Sequence, residues 1–206
     1  MRTVLLVAAE AREFSGILKR AAGKALKWPE AVFSREVAWK NDRWLLVANG
    51  PGARLVGQVL ARKRDVDLVL SIGFCGALDP ALRVGDIVDE GKVFTADRVA
   101  VTAAEKRALR EQTGASAVEM EASAVEAKAR EWGTAFRCVK VVSDTAADDL
   151  PLDFNQYRDK DGRFSRTRIA LAALRRPPAL GRLIRLDRDC RRAADKLGEF
   201  LANTSI

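Results

Sequence analysis

The sequence predicts an α/β fold, a three-layer sandwich in which a mixed central sheet is flanked by helices. Two observations predict it. Apolar strand-like runs alternate with helical stretches, the pattern of a mixed or parallel sheet covered on both faces. With 206 residues, 48% of them hydrophobic, the chain can also bury a full core without disulfides or metal. No linker, internal repeat or low-complexity segment divides it, so residues 1–206 are read as one domain.

The elements follow in chain order. Thr3-Val4-Leu5-Leu6-Val7-Ala8 is an apolar β run, and a helical stretch is expected over 13–24. A second strand is expected over 43–49. Gly50-Pro51-Gly52 then turns into a helix over 54–64. This turn lacks the third glycine of a dinucleotide fingerprint, so a Rossmann cofactor site is poorly supported, although its N–H groups could meet an anion. A strand over 67–73 leads into the loop Gly73-Phe74-Cys75-Gly76, and a further strand covers 85–89. Asp89-Glu90-Gly91-Lys92 reads as a tight hairpin joining that strand to Val93-Phe94-Thr95-Ala96-Asp97-Arg98-Val99. A helix is expected over 102–112 and another over 118–132. In the latter, Val118, Ala122, Val125, Ala129 and Trp132 recur at steps of four and three as one buried stripe. Glu121 lies at the margin of that stripe. On the same helical wheel Glu119 sits well around the helix, so the two acids are expected in different environments. The apolar run over 137–143 ends at Ser143-Asp144-Thr145, and the C-terminal ends of strands are where ligands gather in open α/β sheets.

The tail from about 179 to 203 reads as an amphipathic helix. Cys190, Ala194, Leu197 and Leu201 form its apolar face, and Arg185, Arg188 and Arg192 lie opposite. The formal net charge is +8. A basic face suits anionic lipid head groups as well as plain solvation. Aromatic residues do not interleave with it as stacking nucleic-acid readers require, so no nucleic-acid partner is expected.

Two carboxylates carry the chemistry. Glu121, half-buried at a helix start, can grip two adjacent hydroxyls with its two oxygens, or it can be an ordinary capping glutamate. Asp144, at the end of a strand, can cap the next segment, or it can hold a proton for a leaving group if burial raises its pKa. The chain has no histidine, which excludes Ser-His-Asp and Cys-His nucleophile systems and histidine-containing zinc sites. Cys75, Cys138 and Cys190 show no C-x-x-C spacing and read as small buried hydrophobes, with no metal site expected. Three cysteines, no signal peptide and no membrane-length apolar run lead to the expectation of a soluble cytoplasmic protein.

The stretches Val118-Glu119-Met120-Glu121-Ala122 and Val142-Ser143-Asp144 come after Ser71-Ile72-Gly73-Phe74-Cys75-Gly76-Ala77-Leu78 and Val84-Gly85-Asp86-Ile87-Val88. These four motifs, in this order, resemble the purine nucleoside phosphorylase and methylthioadenosine nucleosidase superfamily over roughly residues 1 to 150. The Arg- and Leu-rich tail further resembles the hopanoid-associated phosphorylase branch. The resemblance implies cleavage of an N-glycosidic bond in a purine nucleoside or adenosyl conjugate, by water or by phosphate. It implies that Asp144 protonates or hydrogen-bonds N7 of the departing purine and that Ser143 positions it. Glu121 would bind the ribose 2′ and 3′ hydroxyls, with Met120 against the sugar and Glu119 in the same binding motif. A glutamate after the first strand would orient the attacking water, and both Glu10 and Glu13 are candidates. Gly73 and Phe74 fall in the substrate-binding region, and Val99 falls near the purine-packing position usually held by an aromatic.

Where phosphate-dependent relatives supply an arginine and a serine, this chain carries Ser71 and Phe74, which shifts the expectation toward hydrolysis. No cofactor is expected, phosphate being the alternative acceptor to water. The implied partners are a small-molecule nucleoside, further copies of the chain in a dimer or larger homo-oligomer, and an anionic membrane surface touched peripherally. Family members usually carry several tens of residues between the strand ending at Val88 and the next, and the short segment here, with Phe74 and Val99, also suggests a second reading: a catalytically reduced homologue that binds a nucleoside or membrane-associated ligand without turnover.

Overall fold

The computed structural model describes residues 1–89 and 92–204. Among them, nine strands form one mixed sheet: β1 (Thr3–Ala8), β2 (Gly23–Ala25), β3 (Phe33–Trp39), β4 (Asp42–Ala48), β5 (Leu68–Ala77), β6 (Ile87–Asp89), β7 (Val93–Thr95), β8 (Ala117–Glu119) and β9 (Ala135–Asp144). The core strands β4, β1, β5 and β9 run parallel, while β3, β6 and the β5–β8 junction pair antiparallel. Helices α1 (Ser15–Leu18), α2 (Ala53–Val59), α3 (Ala103–Thr113), α4 (Ala122–Trp132), α5 (Arg166–Leu174) and α6 (Pro177–Asn203) complete the chain.

The period of two in the core strands sorts their side chains between two faces. Val4, Leu6 and Ala8, with Leu46, Leu70, Ile72, Val139 and Val141, meet Ala193, Leu197 and Leu201 of α6. Leu5 and Val7, with Leu45, Val47 and Val69, meet Val56 and Val59 of α2 and Val125, Ala129 and Trp132 of α4. The three layers expected from sequence are therefore present, each face of the sheet holding its own apolar cluster.

Several boundaries differ from expectation. The helix expected over 13–24 is a 3-10 turn at Ala11–Phe14, then the single turn α1, then strand β2. α1 and α6 cross at close range. A Cβ at Gly16 would lie 2.0 Å from Ala194 O, and one at Gly198 would lie 2.4 Å from Gly16 C. Gly198→Ala is accordingly expected to cost about 1–3 kcal/mol by overpacking, readable as a lower urea midpoint with an unchanged slope.

Strand β3, a half-covered antiparallel strand beside β4, lies outside the strands expected from sequence. The helix expected over 54–64 stops at Val59. The supposed loop Gly73-Phe74-Cys75-Gly76 is strand: β5 runs through it to Ala77, paired with β9 across a register shift between Cys75 and Gly76.

The hairpin turn expected at Asp89-Glu90-Gly91-Lys92 lies partly outside the described residues. β6 pairs antiparallel with β9, and β7 pairs parallel with β8, while Glu90 and Gly91 lie outside the described residues. The helix expected from Val118 begins four residues later. Ala117–Glu119 is strand β8, held between β5 and β7, and only Ala122, Val125, Ala129 and Trp132 form the buried helical stripe. The tail helix runs Pro177–Asn203, and α5 precedes it without having been anticipated. No helix of the described residues is long and apolar enough to cross a membrane.

Candidate active site

The C-terminal ends of β1, β5, β8 and β9 converge on a cavity of about 530 Å³. Glu10, Glu13, Phe74, Val99, Glu119, Met120, Glu121, Ser143 and Asp144 all line it. Gly73 stands just behind this wall, and its role is spatial. It has φ +124°, and a Cβ there would lie 2.5 Å from Glu13 Oε1, so a side chain at this position would displace the carboxylate.

Glu13 is brought in by the 3-10 turn after β1. Its carboxylate is buried and accepts the backbone N–H of Phe74 at Oε1 and of Glu10 at Oε2, each at 2.7 Å. Burial pushes its pKa up, against the lowering effect of those two hydrogen bonds and of Lys140. Glu10 is instead committed to Arg12, 2.5 Å away, with Arg166 at 3.9 Å. The Phe74 ring lies under the Arg12 guanidinium, 5.4 Å from its centroid.

Glu119 and Glu121 share one buried environment, contrary to the helical-wheel expectation. The wheel does not apply, because the chain changes from strand to helix at Met120 and Glu121. Glu119 Oε1 accepts from Thr95 Oγ1 at 2.6 Å. Oε2 lies 2.9 Å from Lys140 Nζ, and the N–H groups of Glu121 and Ala122 point at the same carboxylate from the first turn of α4. Burial opposes its ionisation, but Lys140 and Thr95 outweigh it and hold the pKa below the usual range.

Glu121 keeps one oxygen on Gly52 N–H at 2.8 Å. Burial pushes its pKa up to about 7, and the charges of Glu119 and Glu13 add to this against Lys140. The glycine turn at 50–52 thus offers an N–H to an internal carboxylate. Lys140 itself is fully inside β9 and also donates to Ile72 O at 3.2 Å. Burial works against its charge, while Glu119 and Glu121 raise its pKa well above the usual lysine range.

Asp144 closes the other side. Ser143 Oγ lies 2.7 Å from Asp144 Oδ1, and Lys106 Nζ lies 2.5 Å from Oδ2. Lys106 is completely buried and also donates to Thr145 O at 2.7 Å and Asp148 O at 2.9 Å. It therefore fixes the carboxylate and the turn that follows together. Gly76 supplies the room, since a Cβ there would stand 3.1 Å from Asp144 Oδ2. Val99 is clasped by Asn155, whose amide accepts the Val99 N–H and donates to its carbonyl, both at 3.0 Å.

Lys106 and Lys140 went unrecognised from sequence, although each left a signal. Lys140 interrupts an apolar strand run, and Lys106 is in phase with Ala103 and Leu109 on the inward side of α3. A lysine is almost never buried without a partner, so both positions announced a buried acid.

Residues 88–175 match the family model described as the phosphorylase superfamily. Over this span the chain is similar to the phosphorylase superfamily. Solved structures of similar fold extend the likeness over nearly the whole chain. The 5′-methylthioadenosine/S-adenosylhomocysteine nucleosidase of Neisseria meningitidis, in complex with methylthio-immucillin-A, is 17% identical, with 99% of this chain and 100% of that one covered at a TM-score of 0.70. The corresponding Helicobacter pylori nucleosidase is 13% identical over 97% and 96%, also at 0.70. Futalosine hydrolase of Helicobacter pylori is 14% identical over 97% and 95%, again at 0.70. No curated protein sequence matches the chain. The superfamily match spans α3, β8, α4 and β9, the elements that carry Lys106, Glu119, Glu121, Lys140 and Asp144.

Proposed function

We propose that the protein cleaves the N-glycosidic bond of a purine nucleoside or adenosyl conjugate, with water as the acceptor. The observation that carries this reading is the convergence of Asp144, Glu121 and Glu13 on one cavity, each in a different electrostatic setting. Glycosidic cleavage builds positive charge on the sugar and negative charge on the base, so carboxylates beside the sugar and a proton beside the base stabilise the two halves.

Asp144 faces the base, and the Lys106 ammonium keeps its carboxylate in place and holds a proton beside it. Glu121, with one oxygen on Gly52, presents its remaining lone pairs to the ribose hydroxyls. Glu13 uses one lone pair of each oxygen on backbone N–H groups and keeps the others for a water. Its raised pKa suits a base better than the position of Glu10, which is bound to Arg12. Water is favoured over phosphate because two of the cavity's three arginines are committed, Arg12 to Glu10 and Arg98 to Glu105, and the third, Arg166, stands 3.9 Å from Glu10. Ser71 is buried inside the sheet, away from the cavity lining.

The outer half of the cavity is apolar, with Phe154, Phe164, Ile169, Leu183 and Leu186 on its walls. This supports a large apolar group at the ribose 5′ position, the kind of substrate that the hopanoid-associated branch implies.

Purified protein incubated with adenosine, methylthioadenosine and an adenosylated lipid analogue is expected to release free base without phosphate. Asp144→Asn is expected to lower the rate about a hundred- to ten-thousandfold, the scale of a group positioned for proton transfer to the base. Nucleoside binding by calorimetry with no base release from any substrate would instead establish the binding homologue.

A further inference from the structure

The charge of the chain is concentrated in one place. Between residues 166 and 192 there are nine arginines and two aspartates, whereas the rest of the chain, out of totals of 36 basic and 28 acidic residues, is close to balanced. Helices α5 and α6 carry all of this segment except the link between them. Arg175, Arg176, Arg188 and Arg192 are exposed, and their guanidinium groups have no ion pair or hydrogen bond among the described residues.

The same two helices hold the large apolar side chains that the fold leaves most open outside its N-terminus and the 30–32 turn: Leu174 at 66% exposure, Ile184 at 55% and Leu171 at 50%. Their positions are not scattered. Ala170 and Ile184 line the cavity. Leu174 is one helical turn from Ala170, and Arg175 and Arg188 are one turn from Leu171 and Ile184. The helices that wall the cavity thus carry apolar knobs set among unpaired arginines.

We propose that the α5–α6 elbow docks on an anionic lipid surface, with the mouth of the cavity facing the bilayer. Leu171, Leu174 and Ile184 enter the interface between head groups and acyl chains, and Arg175, Arg176 and Arg188 meet lipid phosphates, the division of labour of an interfacial helix. Charge decides between occupants. A two-fold contact with a second copy would set this patch against itself, bringing unpaired arginines of both copies together. A nucleic acid would find no exposed aromatic among the knobs to stack on. Docking does not depend on the proposed reaction. Only its use, admission of a membrane-held nucleoside to the cavity, rests on that reading.

The test is co-sedimentation of the full chain with vesicles of phosphatidylglycerol and phosphatidylcholine in equal parts, beside vesicles of phosphatidylcholine alone. Binding is expected to the anionic vesicles only, and to weaken as salt is raised. Each surface arginine is worth about fivefold in partition, so Arg175→Gln/Arg176→Gln/Arg188→Gln is expected to weaken binding on the order of a hundredfold. Leu174→Gln should weaken it further without altering the melting temperature. Base release from a soluble nucleoside should be unchanged in the triple variant, since none of the three residues lines the cavity. No binding to anionic vesicles at low salt, or equal binding by the triple variant, would overturn the proposal. So would self-association in sedimentation velocity that Leu174→Gln abolishes, because the patch would then be an interface between copies. A protein that binds vesicles but releases no base would leave docking standing and sink the proposed reaction alone.

Discussion

Lys106→Met is expected to destabilise the protein by about 3–5 kcal/mol, the cost of leaving one member of a buried ion pair without its partner. The substitution strands the Asp144 carboxylate on Ser143 alone and removes the donor shared by Thr145 O and Asp148 O. In a chain of this length the melting temperature should fall by roughly 10 °C. Removing both charges separates the pair from its surroundings. In Lys106→Met/Asp144→Asn the stability should recover by more than the sum of the single effects allows, a coupling of about 1–3 kcal/mol in a double-mutant cycle. Catalysis should not recover with it, because the double variant lacks the carboxylate proposed to face the base. Lys106→Met that melts at the parental temperature and releases base at the parental rate would show that the 2.5 Å contact has neither role.

Glu121→Gln is expected to move stability and activity in opposite directions. The carboxylate has an ordinary value of 4.5 that the fold pushes up to about 7, chiefly by burial. The folded state therefore binds this proton more tightly than the unfolded chain does, and stability falls as pH rises from about 4.5 to about 7. Above that range the ionised group costs the fold up to about 3 kcal/mol. Glutamine carries no such cost and still offers an oxygen to Gly52 N–H, so the variant should be the more stable protein at pH 8 and equal to the parent near pH 4. Its affinity for nucleoside should drop about ten- to a hundredfold, the loss of a charge-assisted hydrogen bond to a hydroxyl. In the parent, kcat/KM should fall as pH drops through 7, and this limb should vanish in the variant. Urea titrations at pH 4 and pH 8 read the first effect. If the two proteins differ equally at both pH values, the stability change has another source.

The site was legible where chemistry is local. Asp144 and Ser143 end an apolar strand, and Glu121 opens a helix, so position along the chain already placed them at an edge. Glu10 and Glu13 could not be separated from sequence, because three residues of a tight turn decide which one points inward. The backbone N–H groups of Phe74 and Glu10 then decide how Glu13 is held. The helical wheel does not hold at Glu119, which pairs as a strand with β7 in a segment that also pairs with β5. That pairing is a long-range event, and local periodicity contains no trace of it.

By itself the sequence determined the α/β class, the two-faced strands, the buried stripe of α4 and the basic tail, all of which follow from periods of two and 3.6 and from charge count. Only the tertiary structure decided that Glu119 meets the buried Lys140 beside Glu121, that Lys106 meets Asp144, and that Arg166 of α5 and Ile184 of α6 line the cavity. The physical reason is the same in each case. A charge brought out of water needs its opposite within a few ångströms, and the fold, not the order of residues, sets which groups come that close.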